Sequence, residues 1–137
     1  MTIELQALVW TAVILFFSAG VQGMLTPINQ GLVWGLGARD EPRDLSVLQG
    51  RMRRAVANHI EWTVVFAVLV VVAHLAGIST ARTETGAILF AVSRLAYVPV
   101  YAAGVPYLRT AVWTVGTVGL VLIAIDVLGA ALTGSAA

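Results

Sequence analysis

Two short runs concentrate most of the side chains able to bind or activate a ligand. The first is Arg51-Met-Arg53-Arg54-Ala-Val-Ala-Asn58-His59-Ile-Glu61-Trp62. At 100° per residue, Arg51, Arg54, Asn58 and Glu61 fall within an arc of roughly 80°, one polar stripe on one helical face, and Arg53 points the other way. The second run, Arg94-Leu-Ala-Tyr97-Val-Pro-Val-Tyr101, puts its polar groups at i, i+3 and i+7, again on one face, and leads through a Gly-Val-Pro-Tyr-Leu segment to Arg109. Glu61 and Arg94 are expected to neutralise one another. Arg51, Arg54 and Arg109 then remain as surplus positive charge around Asn58, Tyr97 and Tyr101, a set suited to an anionic ligand with several carboxylates.

The elements that must carry these runs are membrane helices. Of 137 residues, 59% are hydrophobic and 11% charged, and the mean hydropathy is +0.91. Such a composition belongs to an integral membrane protein. Four apolar stretches, near residues 4–26, 51–77, 84–104 and 107–133, are long enough to cross a hydrocarbon layer about 30 Å thick. The expected fold class is therefore all-α, a four-helix transmembrane bundle spanning the whole chain. A polar stripe entering hydrocarbon is costly unless it faces protein, water or a ligand, which makes the Arg51 to Glu61 stripe a candidate site.

Local signals refine this layout. Pro27 is expected to bend or stop the first span, with residues 28–37 continuing beyond a kink. The polar loop lies at 37–50, and Asp44 or Ser46 is placed to cap the following helix. Pro99 is expected to interrupt the third span, and Gly104-Val-Pro106 to force a tight reversal. No positive charge precedes the first apolar run, so that span is expected to remain in the mature protein rather than act as a cleaved signal. Five arginines, from Arg39 to Arg54, flank the first loop and Arg109 borders the third, with Arg82 alone on the other side. The positive-inside rule then puts those loops in the cytoplasm and both termini outside.

Other chemistries find less support. Without cysteine there is no thiolate nucleophile or zinc-thiolate site in the chain itself. A net charge of +1 offers no basic surface for nucleic acid. His59 has no second histidine at ligand spacing, so packing is favoured over a metal. Arginines snorkelling to an interface account for part of the stripe, but Asn58 and Glu61 lie too deep for that. An aromatic belt is the competing reading for Tyr97 and Tyr101, and a positive-inside anchor for Arg109. By helix rise, Asp126 and His74 reach similar depth near the outer face, and a hydrogen bond between them, within or between subunits, is expected there.

The combination Arg51-Met-Arg53-Arg54-Ala-x-x-Asn58-x-x-Glu61, Arg94-x-x-Tyr97-x-x-x-Tyr101 and Gly-Val-Pro-Tyr-Leu-Arg109 before Trp113 resembles the MAPEG family, membrane-associated proteins of eicosanoid and glutathione metabolism, and its bacterial members in particular. The resemblance covers the whole chain. It implies a homotrimer binding glutathione between subunits near the cytoplasmic face of a bacterial cell membrane. It further implies that Arg54, Asn58, Glu61, Arg94, Tyr97 and Tyr101 hold the tripeptide, with Arg51 an additional contact and Arg109 near the sulfur. Glutathione would be the co-substrate, no metal is implied, and the second substrate would be a lipophilic electrophile or hydroperoxide reached through the bilayer lipids. Asn29 and Gln30 stand where eicosanoid-making members bring in an arginine, which points away from leukotriene-type or prostaglandin-type specificity. Two rivals stay open at this stage: a non-catalytic binding or assembly protein of the same fold, and a small proton-coupled transporter using Glu61.

Overall fold

The computed structural model describes residues 1–134. Its helices are α1 (Ile3–Gln30), α2 (Leu32–Leu36), α3 (Val47–Leu75), α4 (Ala81–Ala103) and α5 (Pro106–Thr133). The four long helices have 23 to 29 residues and are apolar enough to cross a membrane. At about 1.5 Å per residue each exceeds the thickness of a hydrocarbon core. Among the described residues four helices are thus long and apolar enough to cross a membrane, as expected from hydropathy.

The helix ends show where local chemistry dominates. Thr2 caps α1 by accepting from the Leu5 N–H. Pro27 does not stop α1, which runs on to Gln30 and breaks at Gly31, whose φ of 88° favours glycine. Helix α2 then folds back closely enough that a Cβ on Gly35 would lie 2.6 Å from the Pro27 Cα. Of the two candidate caps for α3, Ser46 is used: it forms a capping box with Gln49, starting the helix one turn earlier than the apolar pattern suggests. Thr80 and Thr83 form a similar box at α4. Pro99 does not interrupt α4 either. Membrane helices tolerate proline when neighbouring groups satisfy the freed backbone, and the reversal is left to Gly104 and to Pro106 at the start of α5.

Helices α3 and α4 form the middle of the bundle, with α1 and α5 on opposite flanks. Phe66 of α3 stacks on Phe90 of α4 with centroids 4.3 Å apart. Val70, Ala73, Ala87, Leu120 and Ile123 close around that pair. Helices α4 and α5 approach most closely where Gly86 faces Gly119: a Cβ on either glycine would lie 2.5 Å from the other's carbonyl oxygen. Small residues are what allow membrane helices such contact, because lipid tails supply no hydrophobic drive to press them together. Large apolar side chains such as Phe16, Phe17, Val92 and Leu95 face outward, as a bilayer solvent permits.

At the end of the bundle carrying the α3–α4 turn, two carboxylates bind α4's first turn. Buried Glu4 accepts from Thr83 Oγ1 at 2.6 Å and from Ser79 Oγ at 3.1 Å. Asp126 accepts from Thr80 Oγ1 at 2.6 Å and pairs with Arg82 at 2.5 Å. Within one chain the expected His74 to Asp126 hydrogen bond is not made, and His74 is exposed. The short α3–α4 connection lays the start of α4 beside Asp126, so Thr80 and Arg82 occupy the carboxylate.

Candidate functional site

The opposite end, where α4 turns into α5, gathers most of the polar side chains singled out above. Arg54, Ala57, Asn58 and Glu61 of α3, Tyr97 and Tyr101 of α4, and Arg109, Thr110 and Trp113 of α5 line a cavity of about 470 Å³. Each helix contributes residues three or four apart, which is why a single face suffices from each. A larger concavity of about 970 Å³ lies between α1 and α4, but its lining is almost wholly apolar and includes none of these residues. It lacks the convergent polar groups that orient a ligand.

Tyr101 is the hub of the smaller cavity. Its hydroxyl accepts from Arg54 Nε at 3.2 Å. The Arg109 guanidinium carbon stands 5.0 Å from its ring centroid, and that of Arg54 stands 6.0 Å away. Tyr97 meets the same ring edge-on at 5.5 Å. Cations over a phenol ring are held by its quadrupole, so α3, α4 and α5 are joined here through one side chain. Trp113, one turn beyond Arg109, packs edge to face on Trp62 at 5.4 Å.

Arg94 is placed differently from the sequence expectation. It is 1% exposed and lies behind the cavity wall. Its Nη1 donates to Asn58 Oδ1 at 3.2 Å, and its guanidinium carbon stands 4.9 Å from the Tyr97 ring centroid and 5.1 Å from that of Phe90. The expected Glu61 to Arg94 ion pair is absent: among the described residues the one ion pair is Arg82 with Asp126. The physical reason is rotational. Asn58 faces α4, whereas Glu61, three residues on, is turned by about 60° to the exposed side. Glu61, Arg54 and Arg109 thus enter the cavity with their charges unpaired among the described residues.

Arg51 lies next door rather than in the main cavity. It shares a pocket of about 140 Å³ with Arg54, Tyr101, Gly104, Val105, Pro106 and Arg109, and its Nη1 donates to the Ala102 carbonyl at 3.2 Å. Sequence reasoning overlooked Thr110 as a lining residue and gave Trp113 no chemistry. Their spacing from Arg109, at i+1 and i+4, is the signal that places them beside it.

This layout has a counterpart at the level of the whole chain: the sequence matches the model of the MAPEG family over residues 5–129. The chain belongs to the MAPEG family. Among curated proteins and among solved structures, nothing matches it. As a MAPEG protein it is a multi-pass membrane protein of the eicosanoid and glutathione metabolism type, and the matched region includes every residue lining the 470 Å³ cavity.

Proposed function

We propose that this MAPEG protein is a membrane-bound glutathione-dependent transferase or peroxidase acting on lipophilic electrophiles or hydroperoxides, the whole chain serving as one four-helix unit of a homotrimer. The observation that carries this reading is the convergence of Arg54 and Arg109 on Tyr101 in a cavity that also holds Glu61, Asn58 and Tyr97. Glutathione brings two carboxylates, an ammonium and a thiol. Arg54 matches a carboxylate, Glu61 the ammonium, and Asn58 and Tyr97 the peptide groups, with Arg94 holding Asn58 from behind. Arg109 serves the sulfur.

The chemistry follows from thiolate stabilisation. A guanidinium and a phenol hydroxyl beside sulfur favour the ionised form, and the thiol proton passes to solvent. In conjugation the thiolate forms a carbon–sulfur bond while the leaving group departs with its electron pair. In hydroperoxide reduction the thiolate attacks the terminal oxygen, the alcohol leaves after taking a proton, and a second glutathione converts the sulfenic acid to a disulfide with release of water. Both reactions need only the thiol and the lipophilic substrate.

Exposure of Glu61 supports assembly. Ala57, Glu61, Val64 and Val68 share an exposed face of α3, and a carboxylate on a lipid-facing stripe is costly. A second copy over this face removes Glu61 from lipid and closes the open side of the cavity. The number three follows the family resemblance. Arginines at the site end of the bundle support a cytoplasmic position for that end and outer termini, and the bacterial cell membrane follows the family resemblance.

The test is the ultraviolet thiolate absorbance of the detergent-solubilised protein titrated with glutathione at neutral pH, beside Arg109→Ala. A saturable signal in the wild type that the variant loses, together with turnover of a lipophilic electrophile, is the expected result. Saturable binding without turnover points to a non-catalytic binding protein. No binding by folded, oligomeric protein removes glutathione from the proposal.

A further inference from the structure

We propose that Arg51 is a positioning residue that locks the turn between α4 and α5, rather than a contact to the ligand. Its Nη1 crosses from α3 to donate to the Ala102 carbonyl at 3.2 Å. Carbonyls in the last turn of a helix lack intrahelical donors, and the negative end of the helix dipole attracts a cation. Two others in this turn are served from within: the Gly104 N–H donates to Tyr101 O at 3.0 Å, and Val105 N–H to Val100 O at 3.4 Å. Ala102 is served by Arg51.

Gly104 makes this approach possible on two counts. Its φ of 77° is left-handed, and a Cβ there would run into the Arg51 guanidinium. The guanidinium therefore occupies the space that a side chain at position 104 would fill. The consequence reaches the site in both directions along the chain. Tyr101 lies in the last turn of α4, and Arg109 in the first turn of α5, where its N–H donates to Val105 O at 3.1 Å. One side chain of α3 thus sets the turn that fixes Tyr101 and Arg109 relative to Arg54, one helical turn further along the same helix. The lock stands on this geometry alone; its consequence for a thiolate rests on the function proposed above.

The experiment is hydrogen exchange on the full-length, detergent-solubilised oligomer, comparing wild type with Arg51→Ala, Arg51→Met and Arg51→Lys. Loss of one charge-assisted hydrogen bond should speed exchange of the Gly104, Val105 and Arg109 amides by about tenfold or more. Residues 76–80 should be unaffected, and Arg51→Lys should restore part of the protection. Arg51→Met retains aliphatic bulk against the turn and serves if the alanine variant does not fold. Unchanged exchange at 104–109 in a folded variant overturns the lock, whatever glutathione does.

A second arm reads the consequence, using S-methylglutathione, which carries no thiol. Its affinity should stay within about threefold of wild type in Arg51→Met, while the thiolate absorbance of bound glutathione falls. A tenfold loss of S-methylglutathione affinity with the turn still protected makes Arg51 a ligand contact and overturns the proposal. If wild-type protein binds neither compound, the proposed function fails, and the exchange result still decides the lock.

Discussion

Arg94 of α4 donates from Nη1 to Oδ1 of Asn58 on α3 across 3.2 Å, and this amide stands where a carboxylate was expected. A guanidinium that is 1% exposed is retained in the bundle by two neutral acceptors, this amide and the Ser93 hydroxyl at 3.4 Å from Nε, and by the faces of Phe90 and Tyr97. Removing the amide leaves the buried charge with the Ser93 hydroxyl alone, so Asn58→Leu should lower stability by about 2–3 kcal/mol. Arg94→Met removes the charge itself. The double variant Asn58→Leu/Arg94→Met should then lose less than the sum of the single losses, because the second change relieves the defect left by the first. Denaturant or thermal melting of the detergent-solubilised protein measures all three, and strictly additive losses would show that the two residues are uncoupled.

His59 offers the opposite case. It is fully buried, and among the described residues neither ring nitrogen has a hydrogen-bond partner; the Thr63 hydroxyl, one turn on, is likewise unpartnered there. An unmade buried hydrogen bond costs about 1–3 kcal/mol, and leucine has a similar volume to histidine. His59→Leu should therefore raise the melting temperature. Since His59 does not line the 470 Å³ cavity, glutathione affinity should not change. A lower melting temperature, or lost binding in a stable variant, would give the imidazole a role that its surroundings do not indicate.

Asp126 and His74 separate a structural contact from proximity in depth. Asp126→Asn weakens the pair with Arg82, whose side chain is 51% exposed, and alters the bond from Thr80. Solvent screening limits the effect to roughly 1 kcal/mol or less. A small fall in melting temperature with unchanged glutathione binding is expected. His74→Ala should leave both quantities where they are. Equal losses from the two substitutions would revive a direct contact between them.

Much of the molecule was legible in one dimension. Hydrocarbon thickness sets the length of a membrane helix, so the number of crossings could be read from hydropathy. The 3.6-residue period put Arg54, Asn58 and Glu61 on one face, and Tyr97 with Tyr101 on another, and the fold brings both faces to the same cavity as Arg109. The start of α3 was legible for a similar reason, since Ser46, one of its two candidate caps, uses a partner three residues away; the Thr80 box at α4 went unread.

Partner choice between helices was not. The sequence suggested that Glu61 and Arg94 neutralise one another but could not show that Asn58, rotated by about 60° relative to Glu61, is the residue turned toward α4. Nor could it show that Arg51 reaches the end of α4, or that Thr80 and Arg82 reach Asp126 while His74 is left exposed. Those outcomes depend on how far each helix is turned and slid against its neighbour. The Gly86–Gly119 approach and the Phe66–Phe90 stack set that registry. Each is a contact between two helices, and neither is encoded in the periodicity of either one alone.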